Sequence, residues 1–489
     1  MSQILKIYAF ISAITALALS LPAGYAYMFG ERQVVFAFTA PMIVAFVLAG
    51  VLWYAARRIA GLLEELPRVE IKDAFIAVGG SWCVASFLGS MPLWLSGCFP
   101  AYADALFESI SGFTTTGASV IDNVESLPKS INLWRCLTHW LGGMGMIALV
   151  VALMPLLGIG GFRLIQAETT GPQKGKVTTR MTNTAKVLWF IYCSFTLIQA
   201  ALLNFVGLDW YDSFCHSFSA ISTGGFSTRN SSIASFGNSA AEWICMIFMF
   251  LGSLNFALYF HAFSGRKSEL YRDSELKAFI LATLTAGCLV TVFQLERASE
   301  FAATLRHSFF QVVSTISTTG LMSQDYCSWK PASQIIIFCL FFVGGCSGST
   351  SGGIKAVRWV VVLKQIANEF KRILHPHAVY TIRINGEPGQ ESLATSVASF
   401  MLLYVLVAGV VMLAGGMAGI SPGDSFCNAL AMLGNIGPAF GEYGPAETYA
   451  ALPTMLKFVY CFAMLAGRLE IYTVLILIGR FLSLRRAKS

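Results

Sequence analysis

Four short segments of this chain repeat one pattern, and no other feature of the sequence constrains the fold as strongly. Each has an Asp or a His, then apolar and small residues, then a Gly thirteen positions after the first residue. The pattern predicts a short helix with the Asp or His at its N-cap, followed by a small-residue strand that can line only a narrow space. Four copies predict fourfold pseudo-symmetry. The pairs are Asp104 and Gly117, Asp212 and Gly225, His307 and Gly320, and Asp424 and Gly437.

The composition indicates a membrane protein. Of 489 residues, 56% are hydrophobic and 12% are charged, against roughly 25% charged in an average soluble domain. Ten apolar stretches are close to or above the ~20 residues that cross a bilayer. The first could instead be a cleaved signal peptide, but a second long apolar stretch follows after a very short turn. The sequence therefore predicts an all-α polytopic membrane protein with spans near 5–28, 35–56, 73–97, 132–157, 184–206, 240–263, 276–295, 333–362, 394–418 and 454–482.

The spans and the repeated segments divide the chain into five parts. Residues 1–69 form two N-terminal transmembrane helices. Four repeats of span, short helix, filter segment and span follow, at 70–158, 183–263, 275–372 and 392–483. One small-residue string is explained equally well as a helix-packing seam. Four small-residue strings at matching offsets favour a different interpretation, in which they are irregular segments around a single pore. Non-helical backbone at membrane depth must avoid lipid, so the four segments are expected to face one another.

The charge distribution predicts the orientation. The net charge is +7, and the basic residues concentrate in segments that lie inside if both termini are cytoplasmic. This basic charge requires no nucleic-acid partner. The acidic outer residues are either solvated loop charges or a vestibule that attracts cations. They are Asp104, Glu108, Asp122, Glu125, Asp209, Asp212, Asp325, Asp424, Glu442 and Glu447. The twelve Cys have no paired spacing, so we interpret them as reduced packing residues with no metal site.

The repeated segments have the chemistry of a cation filter. A ring of backbone carbonyls can replace the hydration shell of potassium, and glycine permits the left-handed dihedrals that turn carbonyls inward. The fourth segment, GNIGPAF, departs from the Thr-Thr-Gly type and weakens the expected discrimination against sodium. The predicted coordinating carbonyls belong to Thr115, Thr116, Gly117, Thr223, Gly224, Gly225, Thr318, Thr319, Gly320, Asn435, Ile436 and Gly437.

The string FFVGGCSGSTSGGIK (341–355) is predicted to interrupt the second span of the third repeat. Each Gly costs a helix roughly 1 kcal/mol relative to Ala, so several turns should be unwound. We interpret the string as a gate beneath the filter, with a passive packing seam as the alternative. Ser347, Ser349, Thr350 and Ser351 could satisfy the freed backbone groups. The predicted gate residues are Gly344, Gly345, Gly348, Ser349, Gly352, Gly353 and Arg468.

Arg468 lies within an apolar span, where an Arg is costly unless it faces water or a partner. Glu470 is two positions away on a different helical face and is a poor local partner. We expect the Arg468 cation to act as a barrier near the gate; the alternative is a guanidinium satisfied by carbonyls or by another span. His139 is interpreted as a packing residue, and Arg135 as an interfacial anchor.

These strings together resemble the membrane subunit of bacterial Trk-type potassium uptake systems (the TrkH/TrkG type), within the Trk/Ktr/HKT superfamily. The resemblance covers essentially the whole chain. It implies one filter glycine per repeat, and Gly117 favours potassium because plant relatives with Ser at this place transport sodium. The strings that carry it are TTTGAS (114–119), STGGFST (222–228), GGCSGSTSGG (344–353), ILHPHAVY (373–380), WLGGMG (140–145) and GRLEIYT (467–473).

The same resemblance implies the partners. The chain has no nucleotide-binding motif and no catalytic constellation, so we expect neither enzyme activity nor nucleotide binding by this chain. The resemblance implies a separate TrkA-like cytosolic nucleotide-binding ring on basic loops at 158–186, 264–277 and 364–392. A homodimer in the lipid of the bacterial inner membrane is expected, with K+ as the transported ion. Symport of potassium with sodium or protons, a carrier of another cation or of an organic solute, and a membrane-embedded enzyme are the alternatives. A carrier would need inverted repeats, whereas these are parallel.

Overall fold

The computed structural model describes residues 2–61, 71–157, 181–263, 265, 267–378, 380–385, 387–388 and 392–475. It is built almost entirely of helices, which confirms the predicted all-α class; the exception is a hairpin of two-residue strands. Helices α1 (Ser2–Met28) and α2 (Arg32–Gly61) pack against each other ahead of the first repeat.

The remaining elements follow the order of the predicted repeats. The first contains α3 (Ile71–Leu95), α4 (Tyr102–Phe113) and α5 (Lys129–Leu157). The second contains α6 (Met181–Phe205), α7 (Trp210–Ile221), α8 (Ser239–Gly252) and α9 (Phe256–Phe263), and α10 (Lys267–Arg272) follows. The third contains α11 (Ser274–Gln294), α12 (Phe301–Ile316), α13 (Pro331–Leu340) and α14 (Ala356–Leu374). After β1 (Arg383–Ile384) and β2 (Glu387–Pro388), the fourth contains α15 (Ser392–Met417), α16 (Pro422–Gly434) and α17 (Thr454–Arg468).

Membrane-length helices are fewer than the ten predicted spans. Among the described residues, six helices are long and apolar enough to cross a bilayer, and α8 with α9 could form a seventh. The predicted span 333–362 is two helices, in agreement with its glycine content. Span 240–263 is also broken, because α8 and α9 meet at 91°. Helix α17 ends at Arg468, and Glu470 has a left-handed φ of 60°, so the predicted span 454–482 is not one continuous helix.

The four short helices α4, α7, α12 and α16 form as predicted, but their N-caps were assigned wrongly. The N-cap residues are Ala101, Asp209, Glu300 and Ser421. Asp104, Asp212 and Asp424 are instead the third helical residues, and His307 lies well inside α12. The Asp209 and Ser421 side chains accept the backbone N–H of Asp212 and Asp424, so the capping group lies three residues earlier.

Candidate functional site

Each short helix leads into a segment with two left-handed residues. The four predicted filter glycines have φ between 80° and 94°. Two residues before each glycine, Thr115, Thr223, Thr318 and Asn435 have φ between 52° and 56°. The segments form no β-ladder, so they are left-handed loops and the expected strands are absent from them.

The four glycines lie in one closed ring. A Cβ added to Gly117 would overlap the carbonyl oxygen of Gly224, and one added to Gly225 would overlap that of Thr319. A Cβ on Gly320 would overlap the carbonyl oxygen of Ile436, and one on Gly437 would lie 2.5 Å from that of Thr116. Each glycine therefore touches the carbonyl before the next repeat's glycine, and the fourth repeat returns to the first. Only glycine fits this approach.

Polar side chains on the short helices hold the chain after three of these glycines. Nine residues before the glycine, Glu108 accepts hydrogen bonds from Ser119 Oγ at 3.0 Å and Val120 N at 3.0 Å. His216 Nε2 bonds Ser227 Oγ at 2.9 Å, and Gln311 Nε2 donates to the Gln324 carbonyl at 2.5 Å. The spacing is visible in the sequence, but the sequence alone does not show what these side chains hold.

Arg135 corrects one prediction, because it is not an interfacial anchor. It is 2% exposed, and its Nε donates to Glu108 Oε1 at 2.8 Å. It also donates to Asn132 Oδ1 at 2.7 Å and lies 4.3 Å from the ring of Phe226. Arg135 and Glu108 therefore form a buried ion pair behind the first predicted filter segment.

The fourth repeat has Asn428 at the position of Glu108. Its amide is fully buried beside the Tyr460 hydroxyl, and in the described part of the chain neither group has a hydrogen-bond partner of ordinary geometry. In the described structure, the fourth segment is therefore not held by a side chain at this helical position, as the other three segments are. Asn435 Nδ2 donates to Thr116 Oγ1 at 3.0 Å and to the Met464 carbonyl at 2.9 Å, which ties the fourth segment to the first.

His139 packs behind the second predicted filter segment. Its ring lies against Gly224, where any Cβ would overlap it, and 4.1 Å from the ring of Phe226. Its Nδ1 donates to the Gly112 carbonyl at 2.8 Å. These contacts fit the interpretation of His139 as a packing residue.

The segment 341–355, which we call the intramembrane loop, passes directly beneath the ring. Thr350 Oγ1 contacts Thr223 Oγ1 at 3.2 Å and donates to the Ile221 carbonyl at 3.0 Å. Gly352 N donates to Thr318 Oγ1 at 2.8 Å. A Cβ on Gly352 would lie 2.6 Å from Asn435 Cβ. The loop therefore touches the first left-handed residue of the second, third and fourth segments.

Backbone hydrogen bonds hold the intramembrane loop in a compact form. Gly344 N donates to the Ile354 carbonyl at 2.8 Å, and Ala356 N donates to the Gly345 carbonyl at 3.1 Å. Cys346 N donates to the Ser253 carbonyl at 2.9 Å, at the break between α8 and α9. Gly348 and Gly353 have φ of 75° and 69°, as a closely folded turn requires.

Arg468 reaches the intramembrane loop. Its Nη1 donates to the Thr350 carbonyl at 2.6 Å, and its Nη2 donates to the carbonyls of Gly142 and Gly143 at 2.9 and 3.0 Å. The guanidinium thus joins α17, the loop and α5. Carbonyl acceptors satisfy it, as the alternative interpretation requires, yet one of them belongs to the predicted gate. Glu470 pairs with Arg358 on α14 at 2.5 Å.

Two charged residues at the loop were not singled out from the sequence. Lys355 ends the Gly- and Ser-rich string, and its Nζ donates to the Ser351 carbonyl at 2.5 Å. Glu275, on α11, accepts from Ser347 N at 2.7 Å. A charge at the end of the string is a visible signal for Lys355, whereas Glu275 is brought there only by the fold.

An outer cavity of about 790 Å³ lies between the first and fourth repeats. Asp104, Asp122, Glu442 and Glu447 line it, and Lys457 pairs with Asp104 at 2.7 Å. Four of the predicted outer acids therefore share one concave surface, and a cation already neutralises one of them.

Two further predictions concern metals and loops. All twelve Cys are free thiols, and within the described ranges no group of three or more His, Cys, Asp or Glu side chains could hold a metal ion. The basic loop predicted at 158–186 lies mostly outside the described residues, which resume at 181.

Comparison with known proteins gives consistent matches. The family model TrkH, described as a cation transport protein, matches residues 35–482. The chain is 37% identical over 454 residues to the Trk system potassium uptake protein TrkH of Halomonas elongata, covering 89% of this chain and 94% of that protein. It is 36% identical over 446 residues to TrkH of Escherichia coli K12, covering 90% and 91%. The crystal structure of the potassium transporter TrkH from Vibrio parahaemolyticus matches with a TM-score of 0.85 and 33% identity, covering 97% of this chain and 98% of that one.

Proposed function

This chain belongs to the TrkH family of cation transport proteins, and we propose that it takes up potassium through one pore lined by the ring of four segments. The family is one of transporters and not of enzymes. The closed ring carries the proposal, because each filter glycine is left-handed and lies against the carbonyl of the next segment. Carbonyl dipoles at this density can replace the hydration shell of potassium without a full charge that would trap the ion. The twelve carbonyls named above from Thr115 to Gly437 are the proposed ligands.

The intramembrane loop is the proposed gate. It lies beneath three of the four segments and is fixed there by the hydrogen bond from Gly352 N to Thr318 Oγ1 and by contact with Thr223. An ion that leaves the filter toward the cytoplasm would meet this backbone. Opening therefore requires the loop to leave at least some of these contacts, and its glycines allow the necessary dihedral changes.

Arg468 and Lys355 are the proposed electrostatic part of the gate. Both cations donate to carbonyls of the intramembrane loop, at Thr350 and Ser351. A fixed positive charge repels a passing cation by roughly 4 kcal/mol at 4 Å and an effective dielectric of 20. While the loop holds them beneath the ring, these two charges would oppose leak.

The regulator is proposed to be a separate protein. The membrane orientation expected from the basic residues places both termini and the hairpin β1–β2 in the cytoplasm of a bacterium, beside its inner membrane. A TrkA-like nucleotide-binding ring would dock there, and this chain would bind no nucleotide itself. A homodimer in membrane lipid is the proposed assembly.

Substitution of Gly117 by Ser tests the filter. The added side chain would overlap the Gly224 carbonyl oxygen, so one quarter of the ring should distort. We expect potassium flux into liposomes to fall and sodium flux relative to potassium to rise. Gly97→Ser is the matched control, because Gly97 also has a left-handed φ but no neighbour within 4 Å of an added Cβ. Unchanged relative permeability in folded Gly117→Ser protein would remove this glycine from the filter.

A further inference from the structure

One buried carboxylate holds the middle of the intramembrane loop and the helix that follows the loop. Glu275, in the first turn of α11, is 7% exposed. Its Oε1 accepts hydrogen bonds from Ser347 N at 2.7 Å and from Ser347 Oγ at 3.2 Å. The same oxygen accepts from Val357 N at 2.9 Å, in the first turn of α14. The middle of the loop and the first turn of α14 are therefore bonded to a single oxygen atom.

The two residues before Glu275 hold the hairpin that follows α14. Asn385, which lies between β1 and β2, accepts hydrogen bonds from Ser274 N and Ser274 Oγ, both at 2.8 Å. Its Nδ2 donates to Asp273 Oδ2 at 3.0 Å. Three consecutive residues, 273 to 275, thus bond the hairpin on one side and the intramembrane loop on the other.

The hairpin is also packed on the helix that Glu275 holds. Ile384 is 5% exposed and belongs to a small apolar cluster with Val357, Val361 and Val397. Asn385 has a left-handed φ of 52°, so its backbone fixes the turn that presents the side chain. A displacement of the hairpin would therefore pull on the first turn of α11 and on the first turn of α14 together.

We propose that Glu275 is a positioning residue that couples the hairpin to the intramembrane loop through Asp273, Ser274 and Asn385. The inference rests on the proposed gate and adds the route by which a force on the cytoplasmic side reaches it. Hydrogen bonds to a carboxylate are roughly twice as strong as neutral ones. This carboxylate accepts two from Ser347 of the loop and one from Val357 of α14, so it fixes both to α11 more firmly than neutral contacts do.

Hydrogen exchange of the full-length chain in detergent micelles tests the coupling. Glu275→Gln should speed exchange in the peptide covering 345–357 about tenfold, because charged acceptors are replaced by a neutral one. Asn385→Ala touches no residue of the loop, yet it should speed exchange of the same peptide about threefold. In the double variant, Asn385→Ala should add nothing to Glu275→Gln. Glu300→Gln, which changes an exposed carboxylate that pairs with Arg297, is the matched control and should leave the peptide unchanged.

The proposal is wrong if Asn385→Ala leaves the loop peptide at its wild-type rate, or if its effect adds in full to that of Glu275→Gln. If Glu275→Gln yields no folded protein, Ser347→Ala replaces it, because it removes one of the three hydrogen bonds to Glu275. The effects of Ser347→Ala and Asn385→Ala on the loop peptide should then add to less than their sum. Potassium flux of the same variants in liposomes is a separate readout. Faster exchange without a change in flux would support the coupling and would count against the loop as the gate.

Discussion

The first and fourth quarters of the ring hold their left-handed residues by different means. The first places Thr115 at φ 54°, a conformation that strains a β-branched residue by about 1–3 kcal/mol. The Glu108–Arg135 pair braces the chain that follows it. The fourth places Asn435 at φ 52°, which an Asn adopts readily. Asn428 occupies the position of Glu108 in the fourth quarter, and it makes no such bonds to the residues that the structure describes.

This difference shows how the fold accommodates Asn435 in the fourth segment, where the other three segments have Thr. Where the residue is strained, a buried polar side chain on the short helix anchors the outgoing chain, as also in the second and third quarters with His216 and Gln311. Where Asn fits the backbone, its own amide holds the left-handed residue, through Thr116 and Met464. Two tyrosines hold the chain that follows: Tyr449 Oη donates to the Gly437 carbonyl at 2.9 Å, and Tyr326 Oη donates to the Ala439 carbonyl at 2.6 Å. We therefore expect the brace in the first quarter and Asn435 in the fourth to be the sensitive positions.

The largest effect is expected from Glu108→Leu. This change leaves the Arg135 guanidinium buried without its carboxylate, which costs roughly 3–5 kcal/mol. The midpoint temperature of thermal unfolding of the purified protein should fall sharply. Sodium flux relative to potassium flux should rise. The double variant Glu108→Leu/Arg135→Leu should recover much of the stability, because no unpaired charge remains. Equal losses in the single and double variants would show that the ion pair is not what matters.

Arg468→Ala should have the next largest effect, on flux. Arg468 connects the intramembrane loop to α5 of the first repeat, so its loss frees the loop from that quarter and removes a barrier charge. We expect potassium flux to rise roughly tenfold. Arg468→Lys keeps the charge but cannot reach three carbonyls with a planar fork, so an intermediate flux is expected.

The two substitutions of Arg468 separate the effect of its charge from the effect of its hydrogen-bond geometry. If the Arg468→Lys variant has the same potassium flux as the Arg468→Ala variant, the hydrogen bonds to Thr350, Gly142 and Gly143 limit the flux and the charge does not. If neither variant changes flux while both lower the yield of folded protein, Arg468 is a structural partner of the three carbonyls.

Asn435→Thr gives the fourth segment the residue found in the other three and should have a smaller effect. It removes the hydrogen bonds to Thr116 Oγ1 and Met464 and places a β-branched residue at a left-handed φ without a brace. We expect a loss of about 1–3 kcal/mol in unfolding free energy and weaker potassium selectivity. A variant as selective as the wild type would mean that the fourth segment needs no anchor of its own.

The local patterns predicted much of the architecture. The four glycines, the short helices before them and the break at 341–355 are all visible as spacing or composition. The cost of an Arg in an apolar span marks Arg468 as a residue that needs partners, but its contact with Thr350 joins segments 118 positions apart. The N-caps were misplaced by three residues for the Asp residues, because an acidic residue is favourable both at the cap and in the first helical turn.

What the sequence could not predict depends on contacts between distant segments. The break between α8 and α9 is stabilised by Cys346 N, which donates to the Ser253 carbonyl from another repeat. Arg135 looked like an interfacial residue because its partner Glu108 lies on a different helix, 27 positions away. Glu275 reaches Ser347 across 72 positions. Spacing within one repeat contains no information on such pairs.

The smallest effect is expected from Asn428→Leu, which is the matched counterpart of Glu108→Leu. Among the described residues this buried amide has no hydrogen-bond partner of ordinary geometry, so replacing it by an apolar side chain of similar size should be neutral or stabilising by about 1 kcal/mol. The midpoint temperature of thermal unfolding and the ratio of sodium to potassium flux should both stay near the wild-type values. If Asn428→Leu destabilises the protein as much as Glu108→Leu does, Asn428 has a bonded role, for instance through a buried water shared with Tyr460. The fourth quarter would then be braced from the same helical position as the other three, and the contrast between the two quarters would fail.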